Sequence, residues 1–227
     1  MEQSNKLVRL LKVVVESYIS KGEPVGSKFL HSLDDVTYAP STLRKHLNLL
    51  EREGLVFQSY NSSGRIPTIT GLSKYIEELI ESEISSNEDY NLEIQDSRMS
   101  LKYMVEQLGS IVDGVTVGFI EHDEYFYLGV NKLLKEEISS DEYAITKKII
   151  KIIEDKQIIW FLSSKILKNN QIYYTFIGEE QQFISCLFTR ITINDFPAII
   201  SIIWGIRVDY ERNCNILKTV LSKLSTQ

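Results

Sequence analysis

The sequence predicts a mixed α+β protein in two modules, a small basic one followed by a larger acidic one. Three observations lead there. The net charge of −6 is unevenly spread: residues 1–75 carry 10 Lys+Arg against 7 Asp+Glu, and the remainder carry 15 against 24. The first module shows three runs of helical hydrophobic spacing followed by a short two-strand pattern. The second alternates amphipathic helical runs with stretches rich in Ile, Phe and Tyr. Between them, residues 76–96 hold eight acids and no base. The expected division is a first domain over 1–83, an acidic linker over 84–96 and a second domain over 97–227.

Composition removes several classes. With Gly 11, Pro 4 and Cys 2, the chain is neither collagen-like, nor a disordered tail, nor a disulfide scaffold. Two cysteines (Cys186, Cys214) and three histidines (His31, His46, His122) argue against a structural zinc cluster. The start lacks the basic and apolar regions of a signal peptide. The longest apolar stretch, Ala198 to Ile206, is interrupted by Ser201 and Gly205 and falls short of the ~20 residues that span a bilayer. A cytoplasmic protein without membrane association is expected.

The first helix is expected to be capped by Ser4 and to run to about Lys21, with Leu7, Leu10, Leu11, Val14, Val15 and Tyr18 on one face. Gly22-Glu23-Pro24 stops it. Ser27 is expected to cap a short second helix carrying Phe29 and Leu30, and Leu33 to Ala39 is a turn. Pro40 suits the first position of a third helix, where its missing N–H is harmless; Gly54 ends that helix. At about 100° per residue, Leu43, Leu47 and Leu50 form a narrow stripe, while Ser41, Arg44, Lys45, Asn48 and Arg52 fall opposite. Such a helix can seat itself by its leucines and offer a basic face to a major groove. There Arg and Lys pair with guanine or phosphate, and Asn with adenine. A solvated surface helix would carry the same pattern.

Leu55 to Gln58 then reads as a strand, Ser59 to Gly64 as a turn, and Arg65-Ile66-Pro67 as the return. Gly64 permits the tight backbone, Pro67 fits an edge position, and Arg65 is expected near the tip, touching phosphate or the minor groove. Thr68 or Thr70 caps a fourth helix from Gly71 to about Glu83. Three helices followed by a basic hairpin specify a winged helix-turn-helix.

The residues from Tyr18 to Lys28, with the string Ser-Lys-Gly-Glu-Pro-Val-Gly-Ser-Lys at its end, resemble the first-helix exit of the heat-inducible transcription repressor HrcA family. Pro40-Ser41-Thr42-Leu43-Arg44 with Leu50-Glu51 is similar to its recognition helix. Ser62-Ser63-Gly64-Arg65-Ile66-Pro67-Thr68, with Gly71 and Tyr75, is similar to its wing and following helix. Three motifs in the right order make the resemblance specific. It implies a repressor of chaperone genes that binds an inverted-repeat operator in duplex DNA, held active by the GroEL chaperonin. Through the matching motifs, Ser27, Lys28, Thr42 and Ser63 join Ser41, Arg44, Lys45, Asn48, Arg52 and Arg65 as candidate DNA contacts. The chain departs from the family at Ala39, a poor N-cap where Ser is usual, and at Lys45-His46, where the family has Asn and an acid. His46 lies nearer the leucine stripe and reads better as a packing histidine.

In the second module, Ser97 to Val112 is expected to form an amphipathic helix, and Val115–Ile120 and Tyr125–Leu128 strands around a turn containing His122. That histidine sits beside acids but has no second His nearby, so a solvated turn is the better reading than a metal site. Ser139-x-x-Glu142 is a capping box for a helix to about Lys156. Gln157–Leu167 is open between helix and buried strand. Gln171–Ile177, Phe183–Ile193 and Ala198–Ile203 read as strands, and Asp209 caps a last helix with Tyr210, Cys214, Leu217, Leu221 and Leu224 on one face. Tyr127-Leu128-Gly129, Ile177-Gly178-Glu179-Glu180 and Trp204 to Tyr210 are similar to further HrcA motifs, which implies a GAF-like fold for this domain. It would be a reduced one: the family's further strands and inserted dimerising domain are missing between Asp113 and Tyr125.

No phosphate loop, His-x-x-x-His pair, Gly-x-Ser-x-Gly or Cys–His couple is present, so an enzyme is not expected, nor is a cofactor. Cys186 and Cys214 read as core. An inverted-repeat operator asks for a two-fold pair of recognition helices, so a homodimer is expected, weaker in solution than the family norm. Its candidate surfaces are the stripe Leu101, Val105, Leu108 and Val112 and the strand Tyr125–Tyr127. Two other readings remain: a winged helix that binds protein, and a regulator of a different operon without chaperonin control.

Overall fold

The structure, a computed structural model, describes residues 2–58, 64–83, 90, 92, 100–120, 124–134, 139–165, 167–179, 182–193, 195–205 and 207–225. The chain divides into two compact units, Met1–Glu81 and Ser82–Gln227.

The first unit runs α1 (Glu2–Lys21), α2 (Ser27–His31), α3 (Pro40–Arg52), β1 (Val56–Phe57), β2 (Ile66–Pro67) and α4 (Ile69–Glu81). Helix α1 buries Leu10, Leu11, Val14 and Val15 and ends where Gly22 turns to φ 70°. It begins at Glu2, so Ser4 is not its cap: Glu2 and Gln3 are good helix formers, and nothing stops the chain winding earlier. Ser27 is likewise the first residue of α2 rather than its cap. Gly26 holds the cap position in extended backbone, without a side-chain bond. The cause is the preceding residue: Val25 is committed to strand-like pairing with Arg65, which carries extended geometry up to Gly26. Helix α3 starts at Pro40, as expected, with Ala39 supplying no capping side chain, and Gly54 follows it at φ 71°.

The two short strands pair antiparallel, Val56 with Pro67 and Phe57 with Ile66. Of the two candidate threonines, Thr68 closes the wing onto α4. Its hydroxyl accepts from the Gly71 N–H at 3.0 Å and donates to the Gly54 carbonyl at 2.6 Å. Gly71 sits where a Cβ would lie 2.0 Å from the Leu55 carbonyl oxygen, so only glycine lets α4 start this close to the wing.

The second unit runs α5 (Leu101–Ile111), β3 (Val115–Ile120), β4 (Tyr125–Leu128), a single 3₁₀ turn (Val130–Leu133), α6 (Ser140–Glu154), α7 (Gln157–Ser163), β5 (Ile172–Glu179), β6 (Gln182–Ile193), β7 (Phe196–Trp204) and α8 (Tyr210–Ser225). Its five strands form one antiparallel sheet in the order β4-β3-β7-β6-β5, a mixed α+β architecture consistent with the GAF-like fold. The ambiguous stretch after Lys156 is a helix, α7; Lys156 itself turns to φ 55° and lets it start in a new direction.

Strand alternation sorts the core. Val115, Val117 and Phe119 face a layer made of Ile145, Ile149, Ile153, Ile158 and Leu162 from α6 and α7. On the other face, Gly118 lets α5 approach closely: a Cβ there would lie 2.5 Å from Val105 and 2.9 Å from Leu101. The stripe Leu101, Val105, Leu108 and Val112 is therefore wholly buried within the unit and does not offer a dimer surface. Tyr125 is also turned inward, its hydroxyl donating to the Ile153 carbonyl at 2.7 Å, whereas Tyr127 is exposed. Within the stretch read as a linker, Tyr90 and Leu92 are buried, and Lys223 donates to the Leu92 carbonyl at 2.7 Å. Apolar side chains in an acidic run still seek cover.

The capping box at α6 is complete: Ser139 and Glu142 each bond the other's backbone N–H. Asp209 caps α8, its carboxylate accepting from the Arg212 N–H at 2.9 Å. Lys132 donates to the Gly109 and Val112 carbonyls at 2.7 Å each, closing the C-terminus of α5. Cys186 and Cys214 are free and buried; burial pushes the Cys214 thiol up to about 12 and Cys186 further, so neither is a ready nucleophile. His122 lies outside the described residues.

Two outcomes follow. Gly71→Ala should destabilise the first unit by about 1–3 kcal/mol in urea unfolding followed by far-UV circular dichroism. Fluorescence should stay unchanged, because both tryptophans, Trp160 and Trp204, lie in the second unit. The second concerns Glu142. Partial burial raises its pKa, but the Ser139 backbone N–H and the Arg207 guanidinium outweigh this and hold the carboxyl below its ordinary range. A lowered folded-state pKa stabilises above the unfolded value, and the gain is lost as pH falls through the folded one. Glu142→Gln should thus be less stable than wild type at pH 7, with the gap closing below about pH 4, as read by tryptophan fluorescence.

Candidate nucleic-acid interface

Helix α3 presents two unlike faces. Leu43, Leu47 and Leu50 are buried at 0, 4 and 0 % exposure. On the opposite side Ser41, Arg44, Lys45, Asn48 and Arg52 are exposed, and Thr42 is half-buried at their margin. Arg44, Lys45 and Arg52 form no ion pair with a described residue, so three cations stand free on one strip of helix. Helix α2 packs against α3 and carries exposed Lys28 and half-buried Ser27.

The turn between α2 and α3 is held from both ends. His31 Nδ1 lies 3.0 Å from the Tyr38 carbonyl, and the Tyr38 ring meets His46 edge-on at 5.4 Å. His46 is half-buried, in keeping with a packing role. Tyr38 was not singled out from sequence; an exposed-looking aromatic in a turn carries no local signal of its partners.

Arg65 departs from expectation. It was expected at the wing tip, free to meet phosphate. It lies next to the last strand pair instead of standing free, with its backbone paired to Val25 through hydrogen bonds of 2.8 and 2.9 Å. Its side chain is only 12 % exposed. One guanidinium nitrogen, Nη2, donates both to Glu51 Oε2 at 2.8 Å and to Asn48 Oδ1 at 3.0 Å. The reason is tertiary: Gly64 brings this strand so near that a Cβ on it would lie 2.3 Å from the Val25 carbonyl carbon. Arg65 then faces the edge of α3, where two acceptors await it. Glu51 is the residue that sequence reasoning assigned no contact role. Its place three residues after Asn48 is visible in the sequence, but its partner comes from the other side of the hairpin. Ser63 and the rest of the wing tip lie outside the described residues.

Among the described residues no group of His, Cys, Asp and Glu could hold a metal ion, and no helix is long and apolar enough to cross a membrane. The exposed, charged strip on α3 has the character that a broad polyanionic surface would meet.

Because the leucine face seats the helix and the cationic face does not, the two should respond differently to truncation. Leu47→Ala should destabilise the first unit by about 2–5 kcal/mol, and Lys45→Ala by no more than about 0.5 kcal/mol. Urea titration of the two variants checks this.

A stretch of 77 residues is 40% identical to the heat-inducible transcription repressor HrcA of Onion yellows phytoplasma (strain OY-M), covering 34% of this chain and 22% of that protein. The protein of the same name from Lachnoclostridium phytofermentans is 29% identical over 111 residues, covering 48% of this chain and 32% of that one. The match to that from Bacillus pumilus (strain SAFR-032) is 29% over 116 residues, covering 50% and 34%. The chain thus spans between a fifth and about a third of the length of the curated relatives it matches. No family model matches. A crystal structure of a hypothetical protein superposes with a TM-score of 0.74 over 97% of each chain at 16% identity, so the same fold occurs in another chain of similar extent.

Proposed function

We propose that this chain, whose matched residues support membership of the heat-inducible transcription repressor family HrcA, is a DNA-binding transcriptional repressor that reads duplex DNA through α3. The observation that carries the reading is the free cationic strip of Arg44, Lys45 and Arg52, with Asn48 among them, directly behind a buried leucine seat. A seated helix with an unpaired basic face meets the geometric and electrostatic demands of the major groove. Ser27, Lys28, Ser41 and Thr42 flank the strip and can supply backbone contacts. In this reading residues 1–83 bind DNA and residues 97–227 regulate and dimerise.

The relatives' name points to heat-shock genes, and the resemblance to a chaperone-gene operator in inverted repeat. A two-fold operator calls for a homodimer. With the α5 stripe consumed by the core, its contacts must come from elsewhere in the second unit or beyond it. Maintenance by the GroEL chaperonin belongs to the same reading.

Footprinting on DNA upstream of chaperone operons tests the function directly. A protected inverted repeat is expected, with affinity falling steeply as salt rises. Arg44→Ala should weaken binding by about 1–3 kcal/mol and relax preference at one position per half-site. Equal affinity of wild type and variant for the protected fragment would remove Arg44 from the interface. Failure to protect any duplex, together with capture of a protein partner by the same face, would favour an interaction module.

A further inference from the structure

We infer that Arg65 is a positioning residue for base recognition: it acts through Asn48, turning that side chain so that its amide N–H groups, not its oxygen, face the groove. The inference rests on the reading of α3 as the DNA-contacting helix and adds the chemistry of one contact within it.

The geometry is specific. Arg65 Nη2 carries two protons, and each has its own acceptor, Asn48 Oδ1 at 3.0 Å and Glu51 Oε2 at 2.8 Å. Asn48 and Glu51 are one turn apart on α3, so both acceptors sit on the flank of the helix that faces the wing. Glu51 holds the guanidinium by charge, and the guanidinium holds the Asn48 oxygen. The backbone behind it is equally constrained, since Arg65 is paired to Val25 and Gly64 has no room for a side chain.

The consequence lies in hydrogen-bond polarity. A free asparagine recognises adenine by using its oxygen and nitrogen together, one accepting from N6 and the other donating to N7. With Oδ1 drawn toward the wing by a cation, Asn48 is left with two outward donors. Two donors match guanine, whose O6 and N7 both accept, or thymine O4, whereas adenine sets an N6 donor beside its N7 acceptor and opposes the second N–H. Asn48 should therefore select guanine or thymine, not adenine, at the position it meets. Arg65 thereby affects sequence choice without itself touching a base, and its charge, already neutralised by Glu51, contributes little to phosphate binding.

The test uses the full chain and a pool of duplexes with a randomised central segment, enriched by rounds of binding. Wild type, Asn48→Ala, Arg65→Met, Arg65→Lys and the Asn48→Ala/Arg65→Met double variant are compared, with circular dichroism reporting folding. For wild type, a guanine or thymine is expected at one position per half-site. Asn48→Ala and Arg65→Met should each lose roughly five-fold of discrimination at that same position, the double variant losing no more than either. Arg65→Lys keeps the charge, but its ammonium ends about one bond short of the Nη2 position that meets both acceptors, so it should fail to restore the full preference while leaving the salt dependence unchanged. Should Arg65→Met keep the full preference, or lower affinity for all duplexes and reduce the salt slope by about one phosphate, Arg65 does not position Asn48 and the inference is overturned. Adenine at the Asn48-dependent position would overturn it as well. If wild type enriches no duplex, the DNA-reading assignment of α3 falls, and the inference falls with it.

Discussion

In the N-terminal unit, two backbone hydrogen bonds between Val25 and Arg65 join the entry to α2 with the return strand of the wing, and the candidate interface depends on that seam. It is possible because Gly64 has no side chain where Pro24 and Val25 pass. From the seam outward, each placement follows. The extended backbone at Val25 carries through Gly26 and makes Ser27 the first residue of α2 rather than its cap. Thr68, two residues beyond Ile66, ties the wing to the end of α3 through the Gly54 carbonyl. Arg65 has little freedom left and reaches the flank of α3. The wing is thus bonded to α3 by side chains and to the entry of α2 by backbone.

That bonding changes the meaning of a charge. A wing arginine in isolation suggests a free cation, but this guanidinium is already engaged through Nη2 by a carboxylate and an amide oxygen. On α3 itself, spacing places Arg44, Lys45 and Arg52 opposite the leucines, exposed and without an ion pair to a described residue. Arg65, by contrast, is held between Asn48 and Glu51.

The second unit obeys a different constraint, an antiparallel sheet covered on both faces. Alternate residues of β3 and β7 serve opposite layers, while the edge strand β4 leaves Tyr127 and Leu128 exposed. Gly118 admits α5, and Lys132 closes that helix with its ammonium among three carbonyl oxygens, where burial lowers its pKa. A helix that reads in isolation as an amphipathic docking surface becomes core because the sheet needs its leucines.

What the sequence alone determined is local and periodic. The leucine stripe and basic face of α3, Pro40 at its start, the Ser139–Glu142 capping box, the Asp209 cap and the strand alternation of the second unit depend on residues within a turn or two of each other, so spacing suffices to find them. What only the tertiary structure decided is every role set by a partner distant in the chain. The turn of Arg65 toward Asn48 and Glu51, the need for glycine at Gly71 beneath Leu55, the burial of Leu101 and Val105 against Gly118, and the choice of Thr68 over Thr70 all belong here. The physical reason is common to them. Hydrogen-bond partners and van der Waals contacts act over a few ångströms of space whatever the separation along the chain, so only the folded backbone reveals which of a side chain's possible partners it meets.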